Sequence, residues 1–291
     1  MIISVLVIPA LCVWTGYGLF RLLGMMSLKF NVVKGIFILG VSGVLFLGWL
    51  SLVGVEFGFF SSVVILGIGL LVGSMGWLVG KYRLASPLLN WTHFDWKHVM
   101  FSAFLIVIVG LLYLRPHEFI FGGADAGVYV NLGAHMSRTG RWLMSMPEFS
   151  AIPSSAYPMF FREQPPKMTP NYYYLPGYYV SDQGVETIIP QFYPLHPIWL
   201  ALAHGLGGIW ANLFMTPLWG MLGVIALYFA VQETFSGPLA FLSAGLLALT
   251  PTQVWFARYP TAEVLTQFLL FSGFFFFALY SRRKEKWAAV L

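Results

Sequence analysis

The side chains in this chain whose types and spacing could do chemistry gather at two polar exceptions within a strongly apolar sequence. The first is Gly122-Gly123-Ala124-Asp125, followed by Tyr129, Asn131, His135 and Arg138 and closed by Gly140. Glycines at 122, 123 and 127 leave the backbone bare around the Asp125 carboxylate, which suits close approach of a ligand. Apolar residues at 128, 132 and 136 fall at i, i+4 and i+8, predicting a short helix that opens at Asp125 and ends at Gly140. The free N–H groups at such a helix start favour an anion such as phosphate. The plainer alternative is that Asp125 only caps a surface helix.

The second exception is Trp255-Phe256-Ala257-Arg258-Tyr259-Pro260-Thr261-Ala262-Glu263, a short turn between two apolar runs. Arg258 has the fixed fork of donors that suits a phosphate. Glu263 offers a carboxylate or orients an acceptor. Both could equally be anchors that reach to water from a span end. Two further positions are candidates. Glu118 is a second carboxylate for the first cluster or a solvated residue at the membrane boundary. His196, in Tyr193-Pro194-Leu195-His196-Pro197-Ile198-Trp199, is an interface residue or part of a substrate cleft. No His, Cys, Asp or Glu cluster has metal-ligand spacing, so no cofactor is indicated and a divalent cation is unsupported. The chain has no phosphate-cradling Gly-Lys-Ser/Thr motif and no nucleophile elbow, which disfavours an ATP-driven pump or a serine hydrolase.

The elements that must hold these residues are membrane helices. The 291 residues are 58% hydrophobic and 9% charged, against roughly 45–50% and 25% in soluble domains. The aromatic share of 18% suits anchoring at two lipid–water interfaces. The formal charge of +5 sits in short clusters beside apolar runs, which writes topology and does not point to nucleic acid. The single cysteine, Cys12, excludes an intrachain disulfide. The expected fold is an all-α integral membrane protein of about seven transmembrane helices, with juxtamembrane helices in a long extracytoplasmic loop over 115–212. The spans are expected at Met1–Leu23, Val32–Val53, Phe57–Val79, Val99–Leu114, Leu213–Val231, Pro238–Phe256 and Val264–Tyr280.

Positive charge then sets the sides. Arg21, Lys29 and Lys34 mark one cytoplasmic loop, and Lys81, Arg83 and Lys97 mark another. For Arg282, Arg283, Lys284 and Lys286 to be cytoplasmic too, the run 195–213 must not cross, so an interfacial helix is expected near 196–211. Asp125 and the 256–263 turn then share the outer face.

At these residues the sequence resembles the C-type (GT-C fold) membrane glycosyltransferases, the group that includes protein O-mannosyltransferases and lipid A aminoarabinose transferases. The resemblance covers roughly residues 111–283, through the Asp125 segment, Tyr193–Trp199, the following span pair and Ala257–Glu263. It implies a sugar donor carried on a polyprenyl phosphate and a lipid, glycan or protein acceptor, in a multi-pass protein of the plasma or inner membrane. It assigns Asp125 as general base or acceptor-orienting residue, with Arg258 and Glu263 in the second outer turn. From their positions beside these segments, Tyr129, Asn131, His196 and Glu118 are expected as substrate-binding residues. Residues 1–97 then form a three-span N-terminal extension, and 98–291 a partial module. Lys286–Leu291 reads as the start of a further span, so an N-terminal portion, even an inactive fragment, is expected. The competing class is a transporter or envelope-assembly scaffold. A transporter should carry ionisable residues at mid-bilayer, where these spans carry almost none.

Overall fold

The computed structural model describes residues 2–25, 30–83, 96–121, 125–160, 172–181 and 186–290. Gly122, Gly123, Ala124 and Lys29, and the side chain of Lys97, lie outside the described residues. The helices are α1 (Ile2–Leu22), α2 (Val32–Glu56), α3 (Ser62–Arg83), α4 (Trp96–Tyr113), α5 (Asp125–Thr139), α6 (Tyr157–Phe160), α7 (Leu195–Thr234), α8 (Gly237–Leu249), α9 (Pro251–Arg258) and α10 (Glu263–Arg283). Four of them are long and apolar enough to cross a membrane, or five if α8 and α9 form one broken span. The chain is a multi-pass membrane protein.

The loop is not purely helical. Residues β1 (Met144–Ser145), β2 (Tyr172–Leu175), β3 (Tyr178–Ser181) and β4 (Thr187–Pro190) form one antiparallel sheet in the order β1-β4-β3-β2. The helices still dominate, as expected of an all-α membrane protein, and the small sheet is an addition within the loop. The β2–β3 turn is Pro176-Gly177, where Gly177 takes φ 83°, a conformation open chiefly to glycine.

Glycine also sets the packing of the first three helices. A Cβ on Gly43 would lie 1.8 Å from the Cys12 carbonyl oxygen, and one on Gly16 would lie 1.9 Å from that of Leu39. A Cβ on Gly76 would meet the Gly18 backbone at 2.3 Å. These bare positions let α1 approach α2 and α3 at backbone distance, the usual device for helices in lipid. The same core continues into α7 and α10 through Phe37, whose ring meets Phe229 at 5.0 Å and Phe275 at 5.5 Å.

The helix written as α7 is two legs. Gly207 (φ −151°, ψ 21°) and Gly208 (φ 65°, ψ −156°) break it. Trp199 and Trp219 would stand about 30 Å apart on a straight helix, yet their rings are 5.1 Å apart. The chain therefore reverses at the glycines, and the first leg (195–206) lies back along the second (209–234). The first leg is buried from His196 to Ala203 among α2, α5 and the second leg.

The expected span Pro238–Phe256 is also broken. Pro251 has no N–H to give and holds Thr250 extended (φ −63°, ψ 127°), so α8 and α9 meet at 64°.

Two ends of the bundle can be named by their residues. At one, Trp287 packs on Phe20 (5.5 Å), Phe30 (6.3 Å) and Phe276 (6.3 Å), close to Arg21, Lys34 and Arg283. Residues 286–289 form a 3-10 turn that holds this tryptophan in place, where a further span was expected to start. At the other end, the Phe60 N–H donates to the Gly140 carbonyl (3.3 Å) and Ser62 Oγ donates to that of Ala201 (3.0 Å). Helix α10 runs from one end to the other. Its 21 residues span about 30 Å, the thickness of a hydrocarbon core.

Candidate functional site

Helix α5 begins at Asp125, as the sequence led us to expect. It ends where Gly140, at φ 73°, gives its N–H to the Met136 carbonyl (2.9 Å). Val128, Leu132 and Met136 are fully buried and seat the helix on the first leg of α7. A Cβ on Gly133 would sit 2.7 Å from Leu200 Cβ, so this glycine permits the close contact. Asn212, on the second leg, donates Nδ2–H to the Val130 carbonyl (3.2 Å). From above, the Gly177 turn rests on Val128. Helix α5 is thus clamped on three sides and leaves Asp125 exposed at its start.

Tyr129 lies one turn after Asp125 and points inward. Its ring packs against Phe192 (4.9 Å) and edge-on to His196 (5.4 Å). Burial, then the nearby charges of Glu263 and Asp125, push its phenol up to about 12. The phenol is therefore a proton-bearing donor throughout the neutral range, with two carboxylates acting on it from two different helices. His196 is buried beneath, its Nε2 3.5 Å from Thr216 Oγ1, while its Nδ1 has no hydrogen-bond partner among the described residues. Its side chain is closed off from solvent. The proline-flanked segment that contains it starts the first leg of α7.

The 255–263 turn docks onto the end of α4. Arg258 donates Nε–H to the Arg115 carbonyl (2.6 Å), and the His117 N–H donates to the Arg258 carbonyl (2.8 Å). Rings add to this seam, with His117 on Trp255 (4.7 Å) and Phe119 on Tyr259 (4.9 Å). Burial and the Arg258 charge hold the His117 imidazole below its ordinary value. Behind the turn, Gln253 and Gln267 exchange two amide hydrogen bonds (3.0 and 2.9 Å), joining α9 to α10. Tyr113 ties α4 to α8 through the Ala248 carbonyl (3.0 Å).

The structure therefore brings Asp125, Tyr129, Glu263 and Arg258 to one end of the bundle, opposite the basic cluster. Asn131 is spent locally, because its Nδ2 hydrogens go to the Ile120 (2.8 Å) and Gly127 (2.8 Å) carbonyls. It ties the segment around Ile120 to α5, and both its side-chain N–H groups are used. Glu118 is exposed beside Phe119, and its backbone carbonyl closes a turn with the Ile120 N–H (3.0 Å). His135 also serves the fold, with Nε2 3.0 Å from the Leu143 carbonyl, and burial lowers its imidazole. Among the described residues no three His, Cys, Asp or Glu side chains gather as metal ligands.

Sequence reasoning missed Arg115, because its proximity to Arg258 depends on how α9 bends. It also missed the charged cluster of buried Lys34 and Glu233 with the exposed Arg283. Lys34 Nζ donates to Glu233 Oε2 at 2.8 Å, and Arg283 Nε donates to Oε1. These three sit at helix ends, Lys34 in the first turn of α2, Glu233 in the last turn of α7 and Arg283 at the end of α10. Comparison of the chain with family models, with curated proteins and with solved structures finds no match.

Proposed function

We propose that the chain transfers a sugar from a polyprenyl-phosphate donor to an acceptor hydroxyl or amine at the membrane face opposite the basic cluster. In this reading α1 to α4, the second leg of α7, the α8–α9 pair and α10 make seven crossings, and the basic end is cytoplasmic. The site is then extracytoplasmic.

The observation that carries the reading is the convergence of the two polar segments. Residues 115–120 bind the Arg258 turn through the Arg115 carbonyl and the His117 N–H, and bind α5 through Asn131 Nδ2 and the Ile120 carbonyl. The charges of Glu263 and Asp125 also bear on the Tyr129 phenol. The Arg258 turn is bound alongside. A groove of about 560 Å³ lends support, since it is lined by Leu6, Ile106, Leu111, Phe214 and Met221 and ends at Arg115. An apolar tail lying there would bring its phosphate to Arg115 and Arg258. The resemblance to the C-type glycosyltransferases points the same way.

The acceptor oxygen or nitrogen attacks the anomeric carbon while the bond from that carbon to the phosphate oxygen breaks. The bonding electrons leave with the polyprenyl phosphate, and the acceptor's proton passes to Asp125. Arg258 meets the charge that develops on the phosphate, and positive charge placed in advance is the usual route to this stabilisation. Glu263 orients the acceptor and Tyr129 donates a hydrogen bond within the same cleft.

Sugar transfer from a polyprenyl-phosphate donor, measured for the wild type and for Asp125→Asn, tests this. Loss of the base should lower turnover by about 10²–10⁴-fold. Turnover that survives the substitution removes Asp125 from the mechanism.

A further inference from the structure

A second groove lies at the basic end, about 30 Å along α10 from Glu263, between α10 and the second leg of α7. Its volume is about 480 Å³, within the roughly 300–1,000 Å³ of small-molecule sites. Phe271, Phe274 and Phe277 line it at i, i+3 and i+6, one face of α10, and Leu227 and Val231 face them. At its inner end stand Arg282, Ser281 and Thr234.

Helical geometry separates Arg282 from its neighbour. Successive residues point about 100° apart, so Arg283 turns inward to Glu233 while Arg282 turns to the groove. No acid neutralises Arg282 among the described residues. Glu233 is taken by Lys34 and Arg283, and Glu285 accepts from Trp287 Nε1 (2.8 Å). The two hydroxyls are differently placed. Ser281 and Thr234 give their protons to the Ala278 and Ala230 carbonyls, which leaves their oxygens as acceptors. The end of the groove thus offers a free cation beside two hydroxyl acceptors. Basic juxtamembrane residues attract anionic lipid, and residues 282–286 carry four cations against one acid.

We propose that this groove binds one anionic phospholipid from the leaflet on the basic side, of the phosphatidylglycerol type. Its phosphate sits on Arg282, its glycerol hydroxyls donate to Ser281 and Thr234, and one acyl chain lies along the three phenylalanines. The site is separate from the transfer cleft and does not depend on that assignment.

The full chain, purified in detergent, is heated with phosphatidylglycerol or with phosphatidylcholine. At about ten times the dissociation constant, a site-bound lipid raises Tm by roughly 3–5 °C. Phosphatidylglycerol should do so and phosphatidylcholine should not. Arg282→Gln should abolish the rise, and Lys284→Gln, outside the groove, should keep it. Native mass spectrometry should find one retained phosphatidylglycerol per wild-type chain and none above the phosphatidylcholine background in R282Q. Equal stabilisation by the two lipids, a rise that persists in R282Q, or one lost equally in K284Q overturns the proposal.

Discussion

Arg258 gives its Nε–H to the main-chain carbonyl of Arg115 at 2.6 Å, across 143 positions of sequence. One guanidinium edge is thereby fixed to the end of α4, and the other edge is left for a ligand. Lysine keeps the charge but has no second donor edge. Arg258→Lys should therefore free the 115–119 segment and weaken the grip on donor phosphate together. Hydrogen bonds to charged groups contribute about 1.5–3 kcal/mol, so the KM for the lipid donor should rise roughly 10–100-fold, with a smaller change in kcat. Donor titrations of the two proteins measure this. An unchanged KM would leave Arg258 as a tether only.

Much of this architecture can be read from the residues in order, and the part that cannot has a physical reason. Apolar length marks α2, α3 and α10 because burial in lipid depends on composition alone. Asp125 and Gly140 mark the ends of α5 because end chemistry is local. The reversal at Gly207-Gly208 leaves no such mark, since hydropathy along 195–234 is the same whether the chain runs straight or folds back. The same is true of Lys34 and Glu233, 199 positions apart, whose contact exists only once α2 and α7 pack. The sheet escaped notice because β1 has two residues and the other strands four, too few for an alternation to stand out.

Gly208 supports that reversal through its backbone alone. Its φ of 65° with ψ −156° is a region open essentially to glycine, and a Cβ there would meet nothing within 4 Å. Gly208→Ala should cost about 1–3 kcal/mol, with a fall in Tm of several degrees. Gly273→Ala, at a helical glycine that also has open space, should instead be neutral or raise stability by about 0.5–1 kcal/mol. Parallel melting curves compare the two. If G208A melted like G273A, the strain argument for the turn would not stand.

Acid should loosen the site before it touches the spans. Burial and the Arg258 charge lower the His117 imidazole from its ordinary 6.5. Below 6.5 the unfolded chain takes up a proton that the folded chain refuses, so stability is present above that value and is lost as the pH falls toward the lowered one. His135 shifts in the same direction. The Tm should therefore fall between pH 7 and 5, and His117→Asn should flatten part of that slope while His135, His196 and His204, all lowered by burial, retain the rest. A slope identical in wild type and variant would show that His117 does not titrate differently on folding.

Glu233 carries a different kind of burden. Its carboxylate is the counter-charge of Lys34, whose side chain is 8% exposed and reaches no other acid among the described residues. Glu233→Gln would strand that ammonium in a dry setting, and breaking a buried pair from one side costs about 3–5 kcal/mol. Arg283 suffers less, because its side chain is 47% exposed and its guanidinium also lies 5.4 Å over the Phe30 ring. Removing both buried partners by Lys34→Met with Glu233→Leu leaves no stranded charge and should restore most of the loss, since apolar replacements of buried pairs are often neutral or better. Melting curves of E233Q and of the K34M/E233L double variant separate the cases. If E233Q alone is harmless, the pair is solvated in the working protein and does not close the basic end. If the double variant is as unstable as E233Q, the carboxylate holds α10 through Arg283, and Lys34 is incidental.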